Sequence, residues 1–125
     1  MKNTENYYDV AHQMLGATGG YTYLFGGVVN PSTGYVVGNG NLGAMFTSMP
    51  EAAYIAHAIA SFQAAGYDGA GCWLDEGTWY LDPVTHVNHE VEAQTYATMW
   101  GERAYWDCSN KRAVRVQLAL EDRVC

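Results

Sequence analysis

Between residues 3 and 102 the chain contains no lysine and no arginine. The same span holds Glu5, Asp9, Glu51, Asp68, Asp75, Glu76, Asp82, Glu90, Glu92 and Glu102, so its carboxylates find no strong cation within it. A field of that sign repels nucleic acid and attracts basic partners. Direct nucleic-acid binding is therefore not expected. The cations gather near the end, at Arg103, Lys111, Arg112, Arg115 and Arg123, with Lys2 alone at the start. That basic tail can pair internally with the acids or form a second contact surface.

Other absences narrow the class further. No apolar run approaches the roughly 18 residues a membrane helix needs, so no membrane partner is expected. The opening MKNTENYYDV has no apolar core region and does not read as a secretory signal. Cys72, Cys108 and Cys125 are odd in number and lack zinc-finger spacing. A reduced compartment, the cytoplasm of a host cell, fits that usage best.

Against this stand ten tyrosines and four tryptophans, enough for an aromatic core and for a contact surface. With 125 residues and no linker, one domain over 1–125 is expected. ENYYDVAHQML predicts a short helix stopped by Gly16. YTYLFGGVV and YVVGNG read as strands, with NPSTG as the turn of a β-hairpin. SMPEAAYIAHAIASFQAAG predicts the clearest helix. Ser48 and Glu51 form a capping box, and Ala52, Ile55, Ala56, Ile59 and Phe62 make one apolar face.

CWLD and TWYLDPV predict two strands joined by Glu76-Gly77. Trp79 and Leu81 then share one face, and Tyr80 and Asp82 the other. Pro83 points to the end of that strand or to a sheet edge. HEVEAQTYATMW reads as a helix capped by Asn88 and ended by Gly101. RAYWDCS and AVRVQL supply the last strands. From residue 35 the order is strand, helix, strand, strand, helix, strand. This predicts an α+β protein: a β-α-β-β-α-β sandwich, ferredoxin-like or related. Its antiparallel sheet carries helices on one face, after a short helix and a β-hairpin.

Several constellations could carry chemistry. Asp75, Glu76 and Asp82, with Asp107 after a similar aromatic strand, could do acid–base work or hold a hard cation. Acids at a turn are equally ordinary there. His86, His89 and Glu90 lie near one strand–helix junction, and Cys72 and Cys108 could face each other across the sheet. HVNHE, however, is not the zinc-protease pattern, and single histidines such as His12 and His57 are more often structural. GNGNLG, residues 38–43, has the GxGxxG form, yet its next helix starts too late for a dinucleotide fingerprint. Cys72 reads as a buried small apolar residue, not a nucleophile. No catalytic residue, metal or cofactor is assigned, and an enzyme is not expected.

The favoured pattern is a recognition face. If Asp75, Glu76, Asp82 and Asp107 stand beside Tyr80 and Tyr105 on the sheet's outer side, carboxylates can replace phosphates and tyrosines can anchor. The stretch CWLDEGTWYLDPVTH…ERAYWD also resembles small acidic proteins of phages and actinobacteria, over residues 35–116. There a Trp-containing strand, a turn and a YLD strand precede a helix and a final A-aromatic-D strand. The resemblance implies a phage or mobile-element origin, where such proteins often inhibit host nucleases. Together these predict a phage-like, non-enzymatic acidic inhibitor of the anti-CRISPR or anti-restriction type, a DNA mimic. Its partner would be a basic nucleic-acid-binding surface of a Cas or restriction subunit. The alternatives are a metal-binding protein or enzyme using the 75–90 acid and histidine cluster, and a homodimeric structural module.

Overall fold

The computed structural model describes residues 6–17 and 19–116. The elements run α1 (Tyr7–Gly16), β1 (Gly20–Leu24), β2 (Val28–Val29), β3 (Tyr35–Gly38), a 3-10 turn (Gly40–Leu42) and β4 (Ala44–Phe46). They continue with α2 (Ala52–Ala64), β5 (Gly69–Asp75), β6 (Thr78–Val87), α3 (Glu90–Trp100), β7 (Ala104–Asp107) and β8 (Arg112–Arg115). The strands form one sheet in the order β2-β1-β5-β6-β3-β7-β8, with β4 also on β6. Every pairing is antiparallel.

The expected α+β sandwich is present. Its centre is β3/β4, α2, β5, β6, α3 and β7, the β-α-β-β-α-β order read from residue 35. β6 lies between β3 and β5 and is antiparallel to both, so a βαβ unit is split by the strand inserted into it. The β1–β2 hairpin extends one side and β8 the other. The last two residues of the AVRVQL run, and Arg123 and Cys125, lie outside the described residues.

The three described helices cover one face. Tyr21 and Tyr23 of β1, Ala70 and Cys72 of β5, and Trp79 and Leu81 of β6 pack with Ala11, Met14, Ile55 and Ile59 of α1 and α2. Val37 and Tyr105 pack with Ala93 and Ala97 of α3. Ile55 and Ile59 are fully buried, as their helical spacing predicts. Truncating either to alanine should cost about 2–5 kcal/mol, through lost transfer energy and a cavity.

α1 starts where the Asn6 side chain accepts the amides of Tyr8 and Asp9. α2 differs from expectation. Its cap is Glu51, not Ser48, and Glu51 makes no side-chain capping bond. Glu51, directly after Pro50, is still extended at φ −79° and ψ 143°, so the helix begins at Ala52. α3 is capped one residue later than expected, at His89, and ends on left-handed Gly101.

The expected hairpin around NPSTG is not formed. β2 pairs β1 (Tyr23↔Val29, Leu24↔Val28), while β3 pairs β6 and β7. The reversal falls instead at Gly26 and Gly27, whose φ values of 104° and 106° exclude most other residues. Residues 30–34 then cross from the sheet edge to its middle. They are held by Asn30 N–H to the Thr22 carbonyl (2.7 Å), by Cys108 N–H to the Gly34 carbonyl (3.0 Å), and by His86 Nε2 at 2.9 Å from the Thr33 carbonyl oxygen. Beneath this crossing Leu24, Val36, Val84 and Cys108 form a second small core, on the face without helices.

Pro83 is neither at a strand end nor at an edge. It sits inside the ten-residue β6, paired with Ala70 of β5. Its carbonyl accepts the Asn39 N–H at 2.9 Å, so its nitrogen faces the same side, toward β3 and β4. There the partner strand is interrupted: Gly38 pairs Val84, the next pair is Ala44 with Leu81, and residues 39–43 bulge out between them. The missing proline donor falls where the ladder needs none.

Candidate functional site: the open face of the sheet

Strand alternation sends Asp75, Tyr80, Asp82, Val84 and His86 to the face without helices. Their neighbours on that face are small. Gly71 stands opposite Asp82 on β5, Thr22 stands opposite Gly71 on β1, and Gly38 stands opposite Val84 on β3. Glycines inside strands leave the floor without side chains. A groove of about 960 Å³ results, with Gly20, Gly38, Gly71, Asp82 and Val84 along its floor and Trp73 and Trp106 at its sides. That volume lies within the range of small-molecule sites, which is about 300–1,000 Å³.

Asp82 is the unusual group in the groove. It is only 7% exposed, and no hydrogen bond to its carboxyl occurs among the described residues. The bulge 39–43 wraps around it. A Cβ on Gly43 would stand 1.9 Å from Asp82 Oδ1, and one on Gly38 would stand 3.5 Å from Oδ2. The bulge is tied down on several sides. Buried Asn39 donates to the Tyr67 hydroxyl at 2.8 Å and accepts the Asn41 amide at 3.1 Å. The Asn41 side chain donates to the Trp100 carbonyl at 3.0 Å, and Gly40 N–H donates to Glu102 Oε2 at 2.8 Å. GNGNLG therefore works as a clamp on a carboxyl group, between two strands. It opens no helix of the dinucleotide kind.

Burial raises the Asp82 pKa to about 7, with the nearby Glu102 carboxylate adding to the shift. Near neutral pH this group is poised between charged and neutral forms. Arg103 and Lys111 also line the groove, yet among the described charges it is Glu102 that adds to the Asp82 shift. At the upper end Trp73, 36% exposed, stacks on Tyr80 across the hairpin at 5.5 Å between ring centres and 19° between planes. The hairpin turn itself is Glu76-Gly77, as the sequence predicts, with φ values of 50° and 83°.

The six residues expected to share an outer face divide. Asp75, Tyr80 and Asp82 lie on the open face, and exposed Glu76 is in the adjoining turn. Tyr105 is turned the other way and buried beneath α3, where its hydroxyl donates to Glu90 Oε2 at 2.5 Å and its ring meets Tyr35. Asp107, two residues on, shares that side and is also buried. Its carboxylate closes the β7–β8 turn, accepting the amides of Ser109 (3.2 Å) and Asn110 (3.3 Å) and the Asn110 side chain (2.7 Å). The alternation along AYWD fixes this: Trp106, not Tyr105, faces the groove.

The other constellations are also distributed. Cys72 belongs to the core under α1 and α2 and Cys108 to the small core on the opposite face, so the two do not face each other. His86 holds the crossing segment and Glu90 holds Tyr105. No grouping of three metal-ligating side chains occurs among the described residues. No described helix is long and apolar enough to cross a membrane.

Sequence reasoning missed Trp73, Trp106, Glu102 and the glycines as parts of one site. The available signal was glycine inside strand patterns, at Gly38 and Gly71, which marks a bulge or a close approach. No protein-family model matches the chain, and comparisons with curated proteins and with solved structures find no match.

Proposed function

We propose that the chain is a binding protein that receives a small organic ligand in the groove on the open face of its sheet. One observation carries the reading: Asp82, nine-tenths buried and without a hydrogen-bond partner among the described residues, lines a groove floored by glycines. A ligand N–H that reaches this carboxyl gains a hydrogen bond that no described residue supplies. The walls offer apolar contact through Trp73, Val36 and Trp106. Binding fits better than catalysis because no nucleophile or second acid–base group among the described residues hydrogen-bonds to Asp82. The test is an NMR screen of a chemically diverse fragment set. Hits should shift the amides of Gly38, Gly71 and Val84 and the Trp73 indole together. Hits confined to the helical face would overturn the reading.

A second reading has its own observation. Asp75 and Glu76 are exposed at the hairpin tip, beside the stacked Trp73–Tyr80 pair. Carboxylates flanking an aromatic anchor suit a basic partner surface, such as the nucleic-acid-binding surface of a host defence subunit. On this reading the protein is a phage-like acidic inhibitor. Capture of a nuclease or Cas subunit from bacterial lysate at low salt, and its release at high salt, would support it. Capture insensitive to salt would argue against it.

A further inference from the structure

The proposed ligand groove also restricts the chemistry of what enters it, and the following rests on that reading. We infer that the ligand is an organic cation, an amine with an apolar or aromatic body, whose N–H groups are received by Asp82 at the groove floor.

Four observations converge on this. The Asp82 carboxyl lines the groove and accepts nothing from the described residues. Its cradle is closed at Gly43, where a Cβ would stand 1.9 Å from Oδ1, while Gly38 lies in ordinary contact with Oδ2. Oδ2, beside groove-lining Gly38, is therefore the oxygen left open to the groove. Glu102 adds a second carboxylate beside it, fixed by the Gly40 amide. An ionised carboxylate accepts strong, charge-assisted bonds from N–H donors, and a second carboxylate nearby deepens the attraction for positive charge. Finally, indole is the best of the aromatic faces for a cation, and Trp73 and Trp106 line the groove.

The other charged groups on the lining are Asp75, Arg103 and Lys111. Arg103 and Lys111 are exposed, and neither figures among the influences on Asp82. Behind Asp82, on the helical face, lies the Cys72 thiol, whose pKa is pushed up to about 11 by burial first and Asp82 second, so it stays neutral. No described cation offsets the burial of Asp82.

Binding a cation requires Asp82 to be ionised, and so it releases a proton from the fraction that is protonated. With the free carboxyl titrating at about 7, apparent affinity should rise about tenfold from pH 6 to pH 8. A neutral ligand accepting a hydrogen bond from protonated Asp82 would show the opposite trend.

The experiment compares two probes of the same size, phenethylamine and phenethyl alcohol, at pH 6 and pH 8. Binding is followed by the Gly38 and Gly71 amide shifts. The amine should bind at least tenfold more tightly than the alcohol at pH 8, with the pH trend just given. Asp82→Asn should remove both the preference and the trend. If that variant does not fold, Glu102→Gln keeps an acceptor for the Gly40 amide and should still weaken the amine several-fold and leave the alcohol unchanged. Equal binding of both probes, or amine binding without pH dependence, overturns the cation inference and leaves the groove reading standing. Amide shifts that respond to neither probe overturn both.

Discussion

Gly43 and Asp82 are in such close contact that any side chain on Gly43 would meet Asp82 Oδ1 at 1.9 Å and the Leu81 carbonyl oxygen at 2.6 Å. The φ of Gly43 is −93°, so the constraint is space and not backbone strain. Gly43→Ala must push against a backbone oxygen that cannot move aside. It should destabilise by roughly 1–3 kcal/mol or more, as overpacking does. Gly16→Ala, with nothing within 4 Å of its Cβ, is the control and should be neutral or slightly stabilising. Urea denaturation of the two variants makes the comparison.

Asp82 makes stability depend on pH in a direction opposite to that of a salt-bridged acid. Its folded pKa is raised from an ordinary 3.8 to about 7. Between those values the native state holds a proton that the unfolded chain has lost, so stability falls as pH rises through that window. Below it the penalty is absent, and above about 7 it is complete. Asp82→Asn cannot ionise. It should gain on the wild-type protein as pH rises, reaching on the order of 2–4 kcal/mol by pH 8. Urea midpoints across that range test this, and a gain independent of pH would refute it.

Asp107 should behave in the reverse way. Hydrogen bonds from the Asn110 side chain, and then from the Asn110 and Ser109 amides, hold its pKa below the usual value. Its contribution is present above the unfolded pKa and is lost as pH falls through the folded one. Asp107→Ala should lower the thermal midpoint at pH 7, and the difference should shrink on acidification. Protection of the Ser109 and Asn110 amides from hydrogen exchange should fall in the same variant.

Trp73 and Tyr80 should be coupled. Stacked aromatic pairs contribute about 0.5–1.5 kcal/mol beyond their burial, and partial exposure of Trp73 places this pair toward the lower end. A double-mutant cycle with Trp73→Ala and Tyr80→Ala measures it. Trp73→Ala should weaken any groove ligand far more than it weakens the fold.

The elements were legible in the sequence where local chemistry decides them. Periodicity revealed α2, the Glu76-Gly77 turn revealed the β5–β6 hairpin, and Gly101 marked the end of α3. The β-α-β-β-α-β succession of the centre, and with it the α+β class, was legible from the pattern of elements. The NPSTG segment misled because its turn chemistry is real, but it serves a crossing over the sheet. Gly26-Gly27, inside the run read as one strand, makes the reversal instead. Pro83 misled because its tolerance depends on a bulge forty residues earlier in the chain, a tertiary fact. Asp82 was singled out with Tyr80, and correctly placed on the face away from Trp79 and Leu81. Its burial was not legible, because it comes from the clamp 39–43, a tertiary contact. Tyr105 and Asp107 were placed on the wrong face because the strand AYWD does not reveal which parity faces the helices.

The central claim is that Asp82 is a buried carboxyl, without a hydrogen-bond partner among the described residues, facing the groove. The most direct measurement is a titration of its side-chain carboxyl carbon by NMR in the ligand-free protein. A midpoint near 7, falling when phenethylamine is added, is the expected result. A midpoint near the ordinary 3.8, unmoved by the probe, would contradict the account, because the carboxyl would then already be solvated or paired.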